Sequence, residues 1–76
     1  MFEYKKLKLR IKEYFDTQEA FADAMGMGYT GLNFRLNNKT EWKTSEIVKA
    51  CALLHISHEE AHLYFFYSKV QKSTET

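Results

Sequence analysis

The sequence predicts one all-α domain built from five short helices. The chain has 76 residues, which suits a single domain, with no proline and only three glycines. Apolar residues recur three and four positions apart, as on a helix face, and strand-like alternation is not sustained anywhere. Most of the chain is therefore compatible with α-helix, and each expected helix end can be assigned to a particular residue.

The first helix is expected from about Glu3 to Phe15 and the second from Gln18 to Met25. Thr17 is a natural N-cap for the second helix, because its hydroxyl can accept from an orphan backbone N–H. Gly26 follows where a left-handed residue ends a helix. The side chains expected to face inward are Leu7, Ile11, Tyr14, Phe15, Phe21, Ala24 and Met25.

The remaining helices are expected at Tyr29–Leu36, at Thr44–Leu54 and from His58 to about Tyr67. Asn37 and Asn38 can adopt the positive φ angles that a turn after the third helix requires. Ser57 and Glu60 have the spacing of a capping box before the fifth. The inward side chains should be Leu32, Leu36, Ile47, Cys51, Leu54, Ala61, Tyr64 and Phe65. Residues 1–67 are thus expected to form the domain, and residues 68–76 a frayed tail.

Composition narrows the class of protein. The hydrophobic fraction of 45% is too high for a disordered tail. A single cysteine excludes an internal disulfide, no apolar run reaches the roughly 20 residues of a membrane span, and the N-terminus lacks an apolar signal core. We therefore expect a cytoplasmic domain. The net charge is only +1, but basic residues cluster at Lys5, Lys6, Lys8, Arg10 and Lys12, and again at Arg35, Lys39 and Lys43.

The stretch from residue 17 to 39 carries the functional signal. Two eight-residue helices around a glycine bend have the geometry that places the second helix in the DNA major groove. The run TQEAFADAMGMGYTGLNFRLNNK resembles the helix-turn-helix of the phage repressor and Cro family. The later segments TEW, SEIVKACALLHIS and EEAHLYFF resemble its compact Gram-positive phage and prophage members.

This resemblance implies a lambda-repressor-like fold, with the helix-turn-helix formed by helices 2 and 3. It also implies a transcriptional regulator that binds a double-stranded DNA operator as a homodimer. Three residues depart from the family pattern. Gly28 replaces a capping Ser or Thr, Asn38 replaces a glycine, and Lys43 occupies a position that often caps helix 4.

The third helix can be interpreted residue by residue if Leu32 and Leu36 form its buried edge. Thr30 and Phe34 then face away from the core, with Asn33 on one flank. The residues expected to contact bases are Tyr29, Thr30, Asn33 and Phe34. An amide can pair with adenine and an aromatic ring can contact a thymine methyl group. The alternative for Phe34 is packing against helix 1 or helix 2.

The residues expected to contact phosphate are Gln18, Arg35, Lys39, Thr40 and Lys43. Gln18 lies at a helix N-terminus, whose partial positive charge attracts anions. The others lie at the end of the third helix or in the loop after it. Phe66 and Val70 are the candidates for a dimer contact, since exposed aromatic and apolar side chains mark interfaces.

Other chemistries have less support. Cys51, His55, His58 and His62 fall at helical spacings but are not expected to converge as four metal ligands. No nucleophile has an evident base partner and no glycine-rich phosphate loop follows a strand, so neither an enzyme nor a cofactor or small-molecule substrate is expected. Two alternatives to DNA binding stay open. One is a protein-interaction module derived from a helix-turn-helix, and the other is an antitoxin-type regulator that binds a protein partner.

Overall fold

Five α-helices and one 3₁₀ turn account for the regular structure of residues 2–67, which are the residues that the computed structural model describes. The helices are α1 (Lys5–Phe15), α2 (Gln18–Met25), α3 (Tyr29–Leu36), α4 (Thr44–Leu54) and α5 (Ala61–Phe65), and the 3₁₀ turn covers His58–Glu60. No strand occurs in this part of the chain. The predicted all-α class with five helices is therefore confirmed.

Four positions at helix ends or in the turns between helices follow the predicted chemistry. The Thr17 hydroxyl accepts from the backbone N–H of Ala20 at 3.0 Å, which caps α2. Gly26 ends α2 with φ 77°, and Asn38 takes φ 62° in the turn after α3. The Ser57 hydroxyl accepts from the backbone N–H of Glu60 at 3.3 Å. Short polar side chains and glycine therefore fix where the helices begin and end.

Two predicted boundaries are wrong. α1 begins at Lys5 rather than Glu3, because the backbone N–H of Glu3 donates to the carbonyl of Tyr67 at 2.8 Å and holds this segment outside the helix. The last helix opens as a 3₁₀ turn and its α-helical part ends at Phe65, not Tyr67.

The core lies where the five helices meet, and each helix contributes buried side chains to it. α2 is central, since it packs against α1, α3 and α4. The fully buried large side chains are Phe21, Phe65, Leu7, Ile11, Leu32 and Leu54. Of the expected core, Tyr14 is exposed and stacks on His55, with ring centroids 5.1 Å apart. Phe15, Ile47 and Cys51 are only partly buried, while Ala22 and Ala50 lie fully inside.

Basic side chains close two helix C-termini from neighbouring elements. Arg10 donates to the carbonyls of Leu54 and His55, at 2.9 and 2.7 Å, at the C-terminal end of α4. Lys49 donates to the carbonyl of Met25 at the end of α2, at 3.2 Å. Cations at these ends satisfy orphan carbonyls and oppose the negative end of the helix dipole.

An ion pair joins α3 to α4. The Arg35 guanidinium donates to both carboxylate oxygens of Glu46, each at 2.9 Å, and the two side chains are only 14% and 18% exposed. The same carboxylate accepts from the backbone N–H of Lys43 at 3.0 Å. The hydrogen bonds from Arg35 are the largest cause that lowers the pKa of Glu46; burial opposes them and the Lys43 N–H adds to them.

We expect Glu46→Gln to lower the free energy of unfolding by about 1.5–3 kcal/mol, the range for hydrogen bonds to charged groups. The bound carboxylate stabilises the fold in full above its ordinary pKa of 4.5, and this stabilisation is lost as pH falls through the lower folded-state pKa. Urea unfolding at neutral and acidic pH measures the difference. Glu13→Gln, at an exposed position on α1, should change stability by no more than about 0.5 kcal/mol. An equal loss in both variants would contradict the role of the ion pair.

Asn38 connects the N-terminal residues to the loop after α3. Its side chain accepts from the backbone N–H of Phe2 at 3.1 Å and donates to the Phe2 carbonyl at 2.7 Å, while its own φ is 62°. We expect Asn38→Ala to lower the free energy of unfolding by about 1–2 kcal/mol, because it loses both bonds and strains the left-handed backbone. Asn38→Gly loses the bonds without the strain and should cost less. Equal costs in urea unfolding would show that the backbone conformation contributes nothing.

Candidate functional site: the outward face of the third helix

The outward face of α3 carries two aromatic rings, a hydroxyl and an amide. Tyr29 and Phe34 are each 45% exposed, Thr30 is exposed and Asn33 is partly exposed. Leu32 and Leu36 are buried on the opposite side. The helical spacing therefore orients these four side chains as the sequence predicts, and Phe34 does not pack into the core. Their contact with DNA bases stays a prediction.

The side-chain oxygen of Asn33 already accepts a hydrogen bond from a residue one helical turn away. The side chain of Asn37 donates to the Asn33 carbonyl at 2.8 Å and to its side-chain oxygen at 3.1 Å. The Asn33 amide N–H₂ group is left to donate outward. A two-pronged contact with a base would require its oxygen to accept a second bond or to release Asn37.

Arg35 does not extend from this face. Two of its nitrogens bind Glu46, as described above, and its Nη1 donates to the carbonyl of Gly31 at 2.9 Å. A Cβ on Gly31 would lie 3.3 Å from that nitrogen, so the glycine leaves room for the guanidinium to fold back. The guanidinium of Arg35 is therefore engaged within the fold, and its contact with phosphate stays a prediction.

The remaining residues expected to bind phosphate occupy two separate places. Lys39 and Lys43 are exposed beyond α3, whereas Thr40 is partly buried beside Trp42. Gln18 lies at the start of α2, where it lines a shallow groove with lysines of α1. Those lysines are Lys5, Lys8 and Lys12. Lys12 also pairs with Asp16 at 3.3 Å, in an exposed position.

The α3 face is electrically neutral. Arg35 is the only charged residue between positions 26 and 38, and its charge is balanced by Glu46. The nearest exposed cations in the sequence lie after the helix, at Lys39 and Lys43. An aromatic, uncharged patch has the composition found at the centre of protein–protein interfaces. DNA interfaces are much more positively charged.

Phe66 is exposed, as a dimer contact requires, with 51% of its surface accessible. It meets Phe2 edge to face, with ring centroids 5.7 Å apart, and borders an apolar groove that also contains Val48 and Cys51. Burial raises the pKa of the Cys51 thiol. Val70, the other candidate, lies outside the described residues.

Sequence reasoning missed a second surface feature around Trp42. This side chain is partly buried and packs edge to face on Phe65, with ring centroids 5.0 Å apart. Its indole N–H is buried and has no acceptor among residues 2–67. The only signal in the sequence was a lone tryptophan in a loop after two asparagines, which does not specify a partner.

Two further features concern residues 2–67, the described part of the chain. No helix there is long and apolar enough to cross a membrane. Within the same residues, His, Cys, Asp and Glu side chains do not gather in groups of three that could hold a metal ion.

Comparison with known proteins gives a family and a structural relative. The family model described as "Protein of unknown function (DUF739)" matches residues 1–68. The solution structure of the modulator of repression (MOR) of the temperate bacteriophage TP901-1 from Lactococcus lactis is 37% identical in sequence. The alignment covers 86% of this chain and 88% of that chain, with a TM-score of 0.77. No curated protein matches.

These comparisons refine the resemblance found in the sequence. They support the expectation of a phage regulatory protein, because the structural relative is a phage protein named for modulating repression. A Cro-like repressor is not specifically supported. Since the family model covers all but the last eight residues, the chain belongs to the DUF739 family.

Proposed function

We propose that this protein modulates transcriptional repression in a phage regulatory circuit by binding another protein through the outward face of α3. The regulatory part rests on the likeness to the TP901-1 modulator of repression, at 37% identity over most of both chains. The choice of a protein partner rests on the surface of α3 itself.

The observation that carries the choice is the use of Arg35 inside the fold. DNA affinity comes largely from cations that neutralise phosphates, and losing one such cation weakens binding to every sequence. With Arg35 bound to Glu46, α3 presents Tyr29 and Phe34 without a free charge. Aromatic residues on a face depleted of charge are typical anchors of protein–protein contacts.

The face is also held rigidly, which favours binding. Leu32 and Leu36 fix one side of α3 in the core, and the Arg35–Glu46 pair fixes its rotation relative to α4. A partner therefore does not have to order the helix when it binds, and this lowers the entropic cost of association.

Since the structural relative is named for modulating repression, we take a transcriptional repressor as the partner. We expect Phe34→Ala to weaken binding of this protein to the repressor encoded by the same genome by about 30-fold or more, as for an aromatic hot spot. The physical reason is the loss of an anchor that is 45% exposed in the free protein. Isothermal titration calorimetry with the purified repressor measures the affinity. Val48→Ala removes an even more exposed apolar side chain, from α4, and should leave the affinity unchanged. Unchanged binding by Phe34→Ala would contradict the proposal.

A second candidate function is the sequence-specific binding of duplex DNA, with α3 in the major groove. The groove that brings Gln18 beside Lys5, Lys8 and Lys12 favours it, because a phosphate at the start of α2 would meet several ammonium groups. In this function two copies of the chain would occupy half-sites about 34 Å apart. Phe66 would then be part of the dimer contact.

Gel-shift binding to the DNA upstream of the chain's own gene separates the two functions. We expect no competitor-resistant binding at about 50 or 200 mM salt, because the α3 face supplies no free cation. Competitor-resistant binding that weakens steeply with salt would instead establish the second candidate. Asn33→Ala should then relax specificity at one base position, and Lys39→Ala should weaken binding to specific and random DNA alike.

A further inference from the structure

We infer that an aromatic pocket beside α3 receives an arginine or lysine side chain of a protein partner. The pocket has a volume of about 510 Å³, which lies within the range of ligand-binding clefts. It forms where the N-terminal residues, the loop after α3 and the end of α5 meet. Besides the polar residues Asn38 and Thr40, its lining consists of Phe2, Tyr4, Glu41, Trp42, Phe65 and Phe66. The inference does not depend on whether α3 itself binds a protein.

The walls are held in place from several sides. The backbone N–H and carbonyl of Phe2 both form hydrogen bonds with the side chain of Asn38. The backbone N–H of Glu3 donates to the carbonyl of Tyr67. Phe2 meets Phe66 edge to face, and Trp42 meets Phe65 in the same way. The pocket is therefore present before a ligand arrives.

Within residues 2–67, no Lys or Arg side chain makes a cation–π contact with the exposed aromatic rings of the pocket. Elsewhere in the described residues, Lys6 lies 4.9 Å from the ring centre of Tyr64, and Arg10 lies 5.0 Å from that of Tyr14. With cations of that same described part of the chain, no such contact is made by Phe2 or Phe66, which are 38% and 51% exposed, or by Trp42. Aromatic rings attract cations through their electron-rich faces, and Trp does so most strongly.

Among the described residues that line the pocket, the one formal charge is negative. Glu41 is exposed and has no ion pair or hydrogen bond within residues 2–67. Tyr4 lies nearby, and its pKa is raised first by burial and then by the charge of Glu41. A carboxylate beside uncovered rings complements a cation on an apolar stem, which is the chemistry of arginine and lysine side chains.

The experiment uses the full chain and the peptide N-acetyl-Gly-Arg-Gly-amide, followed by NMR. Trp42 is the only tryptophan, so its indole N–H gives a single, unambiguous resonance. We expect this resonance to shift and saturate at millimolar peptide. The same peptide with citrulline, which keeps the shape but lacks the charge, should bind about tenfold more weakly or not at all. Glu41→Gln should reduce binding of the arginine peptide similarly, whereas Glu59→Gln, at another exposed carboxylate, should not.

Three outcomes would overturn the inference. The first is an equal response to arginine and citrulline, which would make the pocket merely apolar. The second is no saturable shift with the arginine peptide. The third is a saturable response to tetramethylammonium without one to the arginine peptide. This result would make the ligand a free small cation rather than a protein side chain. None of these bears on the effect of Phe34→Ala, so the failure of one proposal is distinguishable from failure of the other.

Discussion

The ion pair between Arg35 and Glu46 sets the charge of the surface through which we propose that this protein binds a partner. It is bidentate and mostly shielded from water, and it couples an eight-residue helix to α4. A helix of this length is marginal by itself in water, so its orientation depends on such contacts and on its two buried leucines. Because the pair removes the only charge of α3 from the exterior, the same interaction that fixes the helix also makes its outward face neutral.

Much of the fold could be predicted because local chemistry determines it. Thr17, Gly26 and Ser57 act within a few residues of themselves, and each caps or ends a helix as its side chain or backbone freedom dictates. The two misplaced boundaries have non-local causes. Glu3 is held by Tyr67, across nearly the whole domain, and no periodicity near the N-terminus carries that information.

Of the candidate site too, the sequence predicted the features that depend on one helix and not those that depend on contacts between helices. The outward direction of Tyr29 and Phe34 follows from the positions of Leu32 and Leu36 on one helix, so spacing alone was sufficient. The direction of the Arg35 side chain depends on Glu46, 11 residues later on another helix. A helical wheel of α3 cannot show this contact. A glycine inside a helix, such as Gly31, is consistent with a close approach; the approaching group is Arg35 of the same helix, which the sequence does not identify.

The loop after α3 links the neutral face to the aromatic pocket. Asn38 takes a left-handed conformation that turns the chain and, with the same side chain, binds both backbone groups of Phe2. The backbone N–H of Lys39 donates to the carbonyl of Phe34 at 2.8 Å, so the start of this loop is fixed to the last turn of α3. A partner that contacts Phe34 would therefore lie close to a segment whose far end carries Glu41 and Trp42. Since one rigid connection positions both surfaces, a single protein can engage the aromatic face through apolar contact and the pocket through a cation without either surface having to rearrange.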